Sequence, residues 1–295
     1  MKVKMWGVRG SIPSPGEHTQ KYGGNTTCIE IRTDANKLII LDAGTGIFRL
    51  AQTLLSEMPL TTSLFITHTH WDHIQGLPFF TPIFAPGNKV IVHGAKDIVS
   101  GQGIEQAMDM QMQYSFFPVR EAELKAALEY RTVNTDQPIV IEDAKVTGTI
   151  LNHPVINMGY RVECNGKSVF FTGDHEPYSN IYEPDDSGYK DYQRVVLERQ
   201  NQVDEAMRDV DVLIADCSYT LEEYQSKIGW GHGTFDHSIA MAKRVGARKL
   251  VCTHHEPTRY DSKLEQVFNA AVTRNADASS SLEIVLAYEG LEIEI

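Results

Sequence analysis

The apolar run Leu64-Phe65-Ile66 stops abruptly, and His68, His70, Asp72 and His73 crowd into the chain just beyond it. A short, wholly apolar run reads as a strand buried on both faces, which requires a sheet covered on both sides. Ionisable groups at the end of such a strand are costly unless they find charged partners or a metal. His68 and His70 are two apart, so in extended chain they point the same way. Imidazole plus carboxylate suits borderline or hard divalent ions. A loop at a strand end holds such ligands in place and leaves one side open.

The rest of the chain supplies strands and helices in two similar rounds. Val3, Met5 and Gly7 alternate as a strand, and the long loop "RGSIPSPGEHTQKYGGN" follows. "TTCIEIR" and "KLIILDA" read as a hairpin around "TDAN". Ile47, Leu50, Leu54 and Leu55 then recur at helical spacing, ahead of the strands "SLFIT" and "NKVIVHG". Residues 101 to 131, rich in Met and aromatics, are expected to be mostly helical. Strands resume in "PIVIEDAKVTGTILNH", "GYRVEC" and "SVFFTGD". A charged helical region spans 183 to 210, and "DVLIADC", "IGWGHGT", a helix, "KLVCTHH", a second helix and two strands complete the chain. One strand ends in Asp42 and its counterpart ends in Asp174. The expectation is an α/β chain, residues 1–295, forming one domain of two similar halves, each a sheet with helices outside.

Composition narrows the function. With 295 residues, 42% hydrophobic, a large core can be buried. The formal net charge is -12. An acidic surface disfavours a dedicated binder of long nucleic acids, whereas a small anionic substrate fits if metal ions supply local positive charge. Cys28, Cys164, Cys217 and Cys252 are widely separated and form no CxxC pair, so they read as buried core residues. The first residues read as a strand rather than a signal peptide, and no apolar run reaches membrane-span length. A cytoplasmic protein with no membrane partner is expected.

"THTHWDH" resembles the His-x-His-x-Asp-His signature of the metallo-β-lactamase fold. The resemblance continues at His153 in "ILNHPV", Asp174 in "FFTGD" and His254 in "KLVCTHH", all at strand ends and in the family's order. It implies an αββα four-layer sandwich, two facing mixed β-sheets with helices on the outer faces. It also implies two divalent metal ions, zinc or manganese. His68, His70 and His153 would hold one, Asp72, His73 and His254 the other, and Asp174 would bridge them. His254 and His255 are adjacent and face opposite ways in extended chain, so one of them is expected to bind; the resemblance favours His254. Asp42 would orient a ligand histidine, or else simply cap the turn after its strand.

The segment "GWGHGTFDHSIAMAKRVGARKLVCTHH" is similar to the ribonuclease Z branch. Its Gly231-His232-Gly233-Thr234 loop has Gly where that branch usually has Ser. By this resemblance, His232 would touch the phosphate and protonate the departing alkoxide, and Asp72 would join it in catalysis beside a metal-bridging hydroxide. Asn25, Thr26, His232 and Thr234 are expected to contact substrate. The opening residues, with Phe116-Phe117-Pro118 and Gly159-Tyr160-Arg161, resemble the small enzymes of this branch that cleave cyclic nucleotides. No Lys/Arg-rich, Gly-rich insertion of the kind tRNA processing needs is visible. The expected function is a dinuclear phosphodiesterase acting on cyclic nucleotides or other small phosphodiesters. The alternative is a ribonuclease Z-like enzyme on RNA; a lactonase or β-lactamase fits the loop less well. Met108, Met110, Met112, Tyr114, Phe116 and Phe117 are either core or a homodimer contact.

Overall fold

The computed structural model describes residues 1–135 and 137–295. Among these, fourteen strands form two seven-stranded sheets. In the first, β1 (Lys2–Gly7), β2 (Cys28–Arg32), β3 (Leu38–Leu41), β4 (Thr61–Phe65), β5 (Lys89–Gly94) and β6 (Ala127–Thr132) lie side by side in chain order. In the second, β7 (Ile139–Ile141), β8 (Ala144–Leu151), β9 (Asn157–Cys164), β10 (Lys167–Phe171), β11 (Val212–Asp216), β12 (Lys249–Thr253) and β13 (Glu283–Leu286) do the same. A last strand, β14 (Glu292–Glu294), returns to the edge of the first sheet beside β1. Each sheet changes from antiparallel to parallel pairing at one strand, β3 in the first and β10 in the second. Asp42 and Asp174 follow these two equivalent strands.

Four layers follow from the period-two alternation of strand side chains. Ile39, Leu41 and Phe65 of the first sheet meet Tyr160, Val169, Phe171 and Ile214 of the second in a central core. Leu38, Ile40 and Leu64 face the other way, under α1 (Gly46–Thr53) and α3 (Ile104–Gln111), a short helix α2 (Trp71–Ile74) lying between them in sequence. On the second sheet, Phe170, Leu213 and Leu250 pack outward against α4 (Tyr189–Met207), α6 (Phe235–Arg244) and α7 (Asp261–Arg274). A one-turn helix, α5 (Leu221–Tyr224), begins the loop that carries the glycines. The expected sandwich is therefore present. The four cysteines are free and buried. Among the described residues, no helix is long and apolar enough to cross a membrane.

The segment from 101 to 131 departs from expectation. Its helix ends at Gln111, and Ala127–Thr132 is strand β6 rather than helix. Ala127 to Thr132 has good helix formers, but a parallel ladder with β5 satisfies its backbone at the sheet edge, and such tertiary pairing overrides local propensity. Met108 and Met112, four apart, are buried in the core, while Met110, Tyr114 and Phe116 are exposed.

Two bonds hold the sheets in register where β4 ends. The Tyr160 hydroxyl donates to the Ile66 carbonyl at 2.7 Å, and the Met158 N–H donates to the Thr67 carbonyl at 2.9 Å. Tyr160→Phe leaves the buried Ile66 carbonyl without this donor. A loss of about 1–2 kcal/mol is expected from urea unfolding; an unchanged midpoint would mean the carbonyl finds another partner.

Candidate metal centre

The ends of four strands, β4, β8, β10 and β12, and the loop that carries His232 converge on a single cleft. The chain leaving β4 runs extended through His68 and His70 before turning into α2, which carries Asp72 and His73. His153 sits between β8 and β9, Asp174 just after β10, and His254 just after β12. His254 has a left-handed backbone, φ 58°, a conformation uncommon outside glycine. That turn aims its ring into the cleft. His255 instead points into the core, its Nε2 at 2.8 Å from the Ala287 carbonyl. Gly10 faces the His254 ring so closely that a Cβ there would lie 2.2 Å from it.

Seven side chains gather into two overlapping groups, His68, His70, His153 with Asp174, and Asp72, His73, His254 with Asp174. Asp174 belongs to both. Its Oδ2 lies 3.5 Å from His68 Nε2 and 3.9 Å from His153 Nε2. Its Oδ1 lies 3.2 Å from His73 Nε2 and 3.1 Å from His254 Nε2. Asp72 Oδ2 approaches His73 and His254 at 3.3 and 3.2 Å. His70 Nδ1 is 3.2 Å from His153 Nε2.

These donors fit a dinuclear metal centre. His68 Nε2, His73 Nε2 and Asp174 Oδ1 are buried without a hydrogen-bond partner among the described residues. Leaving buried polar atoms unpaired is expensive, and here they all face one small volume. Charge points the same way. Burial drives His68 well below its ordinary pKa and lowers His70 and His153, so this group is neutral and ready to bind a cation. Burial opposes protonation of His73 and His254 too, but the carboxylates of Asp174, Asp72 and Asp216 overcome it and raise both. Burial pushes the Asp72 carboxyl up, and the imidazoles of His73 and His254 pull it well below its usual range. Protons here supply the countercharge that a divalent cation would supply, and the two compete for the same atoms.

A further set of residues holds the ligand rings by their other nitrogens. Asp42 is fully buried and accepts from Thr67 N at 2.7 Å, Thr67 Oγ1 at 2.9 Å and His73 Nδ1 at 2.7 Å. His254 Nδ1 meets Ser218 Oγ at 2.9 Å. His153 Nδ1 donates to the Gly231 carbonyl at 2.9 Å. The N–H of Ser11 donates to Asp72 Oδ2 at 2.7 Å. His232 stands beside the cluster, its Nδ1 2.9 Å from Asp216 Oδ2 and 3.7 Å from Asp174 Oδ2. Burial pulls its imidazole down, but Asp216 and Asp174 outweigh that and push it up to about 9.

Sequence reasoning missed Asp216, Ser218, Gly10 and Ser11. Asp216 ends a buried apolar strand as Asp42 does, and that was the available signal. Three expected substrate contacts do not reach the cleft. Asn25 gives its N–H and side-chain amide to Glu289, at 2.7 and 3.0 Å. Thr26 is fully buried against Thr45. Thr234 is the buried N-cap of α6, accepting from His237 N at 3.0 Å. Their polar atoms are committed to turns and caps, whose signatures resemble those of binding loops. The open cleft, about 420 Å³, is lined by Ser11, Thr69, His70, Trp71, Asp72, Asp174 and His232.

Comparison with known proteins agrees with this geometry. Residues 37–255 match the family model described as the beta-lactamase superfamily domain. Ribonuclease Z of Staphylococcus epidermidis is 26% identical over 166 residues, 55% of this chain and 49% of that protein. That match spans about half of the relative's length. Ribonuclease Z of Staphylococcus aureus is 23% identical over 288 residues, 86% of this chain and 88% of that protein. Among solved structures, the metallo-beta-lactamase fold protein YhfI from Bacillus subtilis superposes with TM-score 0.66 and 18% identity, covering 99% of this chain and 98% of YhfI. A diphosphatase from the PhnP family superposes with TM-score 0.65 and 20% identity, covering 100% and 97%.

Two substitutions separate ring orientation from ligation. Asp42→Asn removes the charge that holds His73 Nδ1–H, and Gly10→Ala drives a methyl into the His254 ring. Both are expected to weaken one metal position by about 10–100-fold, read by chelator competition, while the other position keeps its affinity. Equal weakening of both positions would contradict the assignment.

Proposed function

The chain belongs to the beta-lactamase superfamily, and within it we propose a metal-dependent phosphodiesterase that hydrolyses cyclic nucleotides or other small phosphodiesters. The observation that carries this reading is His232, an imidazole outside both ligand groups that Asp216 grips by Nδ1 at the wall of the cleft. That grip leaves Nε2 as the atom facing substrate. Two divalent cations, zinc or manganese by the donor chemistry, held by His68, His70, His153, Asp72, His73, His254 and the shared Asp174, would supply Lewis acidity and a water acidified to near neutral pKa.

The chain's own residues would do the rest. Water adds at phosphorus, one phosphorus–oxygen bond breaks, and His232 Nε2–H gives its proton to the departing alkoxide; one proton of the water stays on the new phosphate, and the other passes to solvent, from which His232 Nε2 is reprotonated. A sugar alkoxide leaves poorly, so a placed acid is worth about 10²–10⁴ in rate. The Asp216 carboxylate keeps Nδ1 protonated before and after that transfer. Ser11 N–H fixes Asp72, whose carboxylate faces the reaction centre. Trp71, 81% exposed at the cleft, offers a flat apolar face on which a base can stack.

Size and charge support a small substrate. The cleft lies within the usual range for small-molecule sites, and the net charge of -12 repels long polyanions. The second reading, a ribonuclease acting on RNA, is favoured by the extent of the match to Staphylococcus aureus ribonuclease Z. The exposed Met110, Tyr114 and Phe116 support a homodimer as the working form, which light scattering tests.

The purified protein, given zinc or manganese and a panel of 3′,5′-cyclic nucleotides, is expected to open the ring. Asp72→Ala abolishes that turnover. Failure on every cyclic nucleotide by a fully loaded enzyme, with cleavage of RNA under the same conditions, would replace this reading with the second. His232→Ala is expected to slow cyclic nucleotides by about 10²–10⁴ but bis(p-nitrophenyl) phosphate far less, because p-nitrophenolate needs no proton to leave. Trp71→Ala is expected to raise KM roughly tenfold with little change in kcat.

A further inference from the structure

Glu176 lies outside the ligand groups and outside the cleft lining, yet it holds the loop on which two of the site's histidines depend. Its side chain is buried, 5% exposed. Oε1 accepts from the Tyr224 hydroxyl at 2.7 Å and the Gly229 N–H at 2.8 Å, and Oε2 accepts from the Gly231 N–H at 2.7 Å. Its own N–H donates to the carbonyl of Asn152, the residue before His153, at 3.0 Å.

The consequences run through Gly231. Its carbonyl accepts from His153 Nδ1. A carbonyl only accepts, so Nδ1 must carry the proton and Nε2 is left with its lone pair on the side of His70 Nδ1, 3.2 Å away, and of the donor group around Asp174. Gly231 has φ 90°, and a Cβ there would lie 2.2 Å from the His153 ring. The loop backbone must therefore be placed closely against that ring, and His232 is the next residue. A carboxylate suits the task because each of its oxygens faces only donors. Glutamine would turn an NH₂ toward one of those N–H groups, donor against donor.

We propose that Glu176 is a positioning residue that fixes the Gly229–Gly231 backbone, and so sets both the tautomer of His153 and the stance of His232. This rests on His153 serving as a ligand. It makes one buried carboxylate common to the metal group around His68 and to the proton donor, two parts of the site supplied by different segments of chain.

The first measurement is long-range ¹H–¹⁵N NMR of histidine-labelled, metal-free wild type. His153 is expected as the Nδ1–H tautomer; an Nε2–H form or a mixture would overturn the proposal. In Glu176→Gln that signal is expected to shift toward a mixture, and zinc retained after dialysis to fall from two per chain toward one, an affinity loss of about tenfold or more at one position. Two zinc ions held with wild-type affinity and an unchanged His153 signal would overturn it, even if the metal-free variant melts earlier, since that pattern means a merely structural role. Should Glu176→Gln fail to fold, Glu176→Asp keeps the charge but shortens the reach, and the same two shifts are expected at smaller size; their absence in that variant would overturn the proposal. Neither readout uses substrate, so failure here leaves the phosphodiesterase reading standing, and failure of the nucleotide panel leaves this one standing.

Discussion

One fully buried carboxylate, Asp174, dictates the arrangement around it. Removing a carboxylate from water costs several kcal/mol even after relaxation, so polar and charged partners must be brought to it. The fold brings imidazoles from four separate segments: His68 and His73 from the β4 end, His153 from the β8–β9 connection, and His232 and His254 from the second half. No segment could do this alone. The two sheets must stay in register where β4 ends, which is where Tyr160 and Met158 of β9 tie one to the other. The core between the sheets and the metal centre at its rim thus depend on the same alignment.

The parts of this arrangement that were legible in the sequence are those set by short-range rules. An apolar strand must end somewhere, and a histidine two residues on from another shares its face in extended chain, so His68, His70 and the turn through Asp72 and His73 could be read directly. Resemblance supplied His153, Asp174 and His254. The choice of His254 over His255 needed a backbone event, the left-handed turn at His254, that side-chain alternation does not encode. Asn25, Thr26 and Thr234 misled because the residue types that bind phosphate also build hairpins and helix caps. The helix expected across Ala127–Tyr130 lost to pairing with β5, a long-range contact. Glu176 was invisible because it acts on partners distant in sequence with no local motif to mark it, and Asp216 carried one signal alone, an acid at the end of a buried apolar strand.

The equivalence of the two halves makes the roles of their acids comparable. Asp42 follows β3 and Asp174 follows β10, each strand lying where its sheet turns from antiparallel to parallel. The two carboxylates flank one imidazole from opposite sides: Asp42 holds His73 Nδ1 in a hydrogen bond, and Asp174 Oδ1 lies 3.2 Å from His73 Nε2 without bonding to it. The same position in the two halves thus yields a carboxylate filled by protein donors in one and a carboxylate common to both donor groups in the other.

Hydrogen-bond saturation distinguishes these roles. Asp42 Oδ1 accepts from Thr67 N, and Oδ2 accepts from Thr67 Oγ1 and His73 Nδ1, so protein donors already occupy both oxygens. Asp216 is alike: Oδ1 takes the N–H and hydroxyl of Ser218, and Oδ2 takes His232 and the N–H of His175. Proximity groups Asp216 with Asp174, His232 and His254 as a third possible cation site, yet its filled oxygens leave little to offer a cation. Asp174 Oδ1 is the opposite. It lies within 3.2 Å of His73 Nε2 and 3.1 Å of His254 Nε2 and still forms no hydrogen bond. Atoms that are close but misaligned are aimed past one another, toward a common point. By that criterion Asp42 and Asp216 are suited to orient rings, Asp174 is left open to a cation, and the donors fit two metal positions without a third.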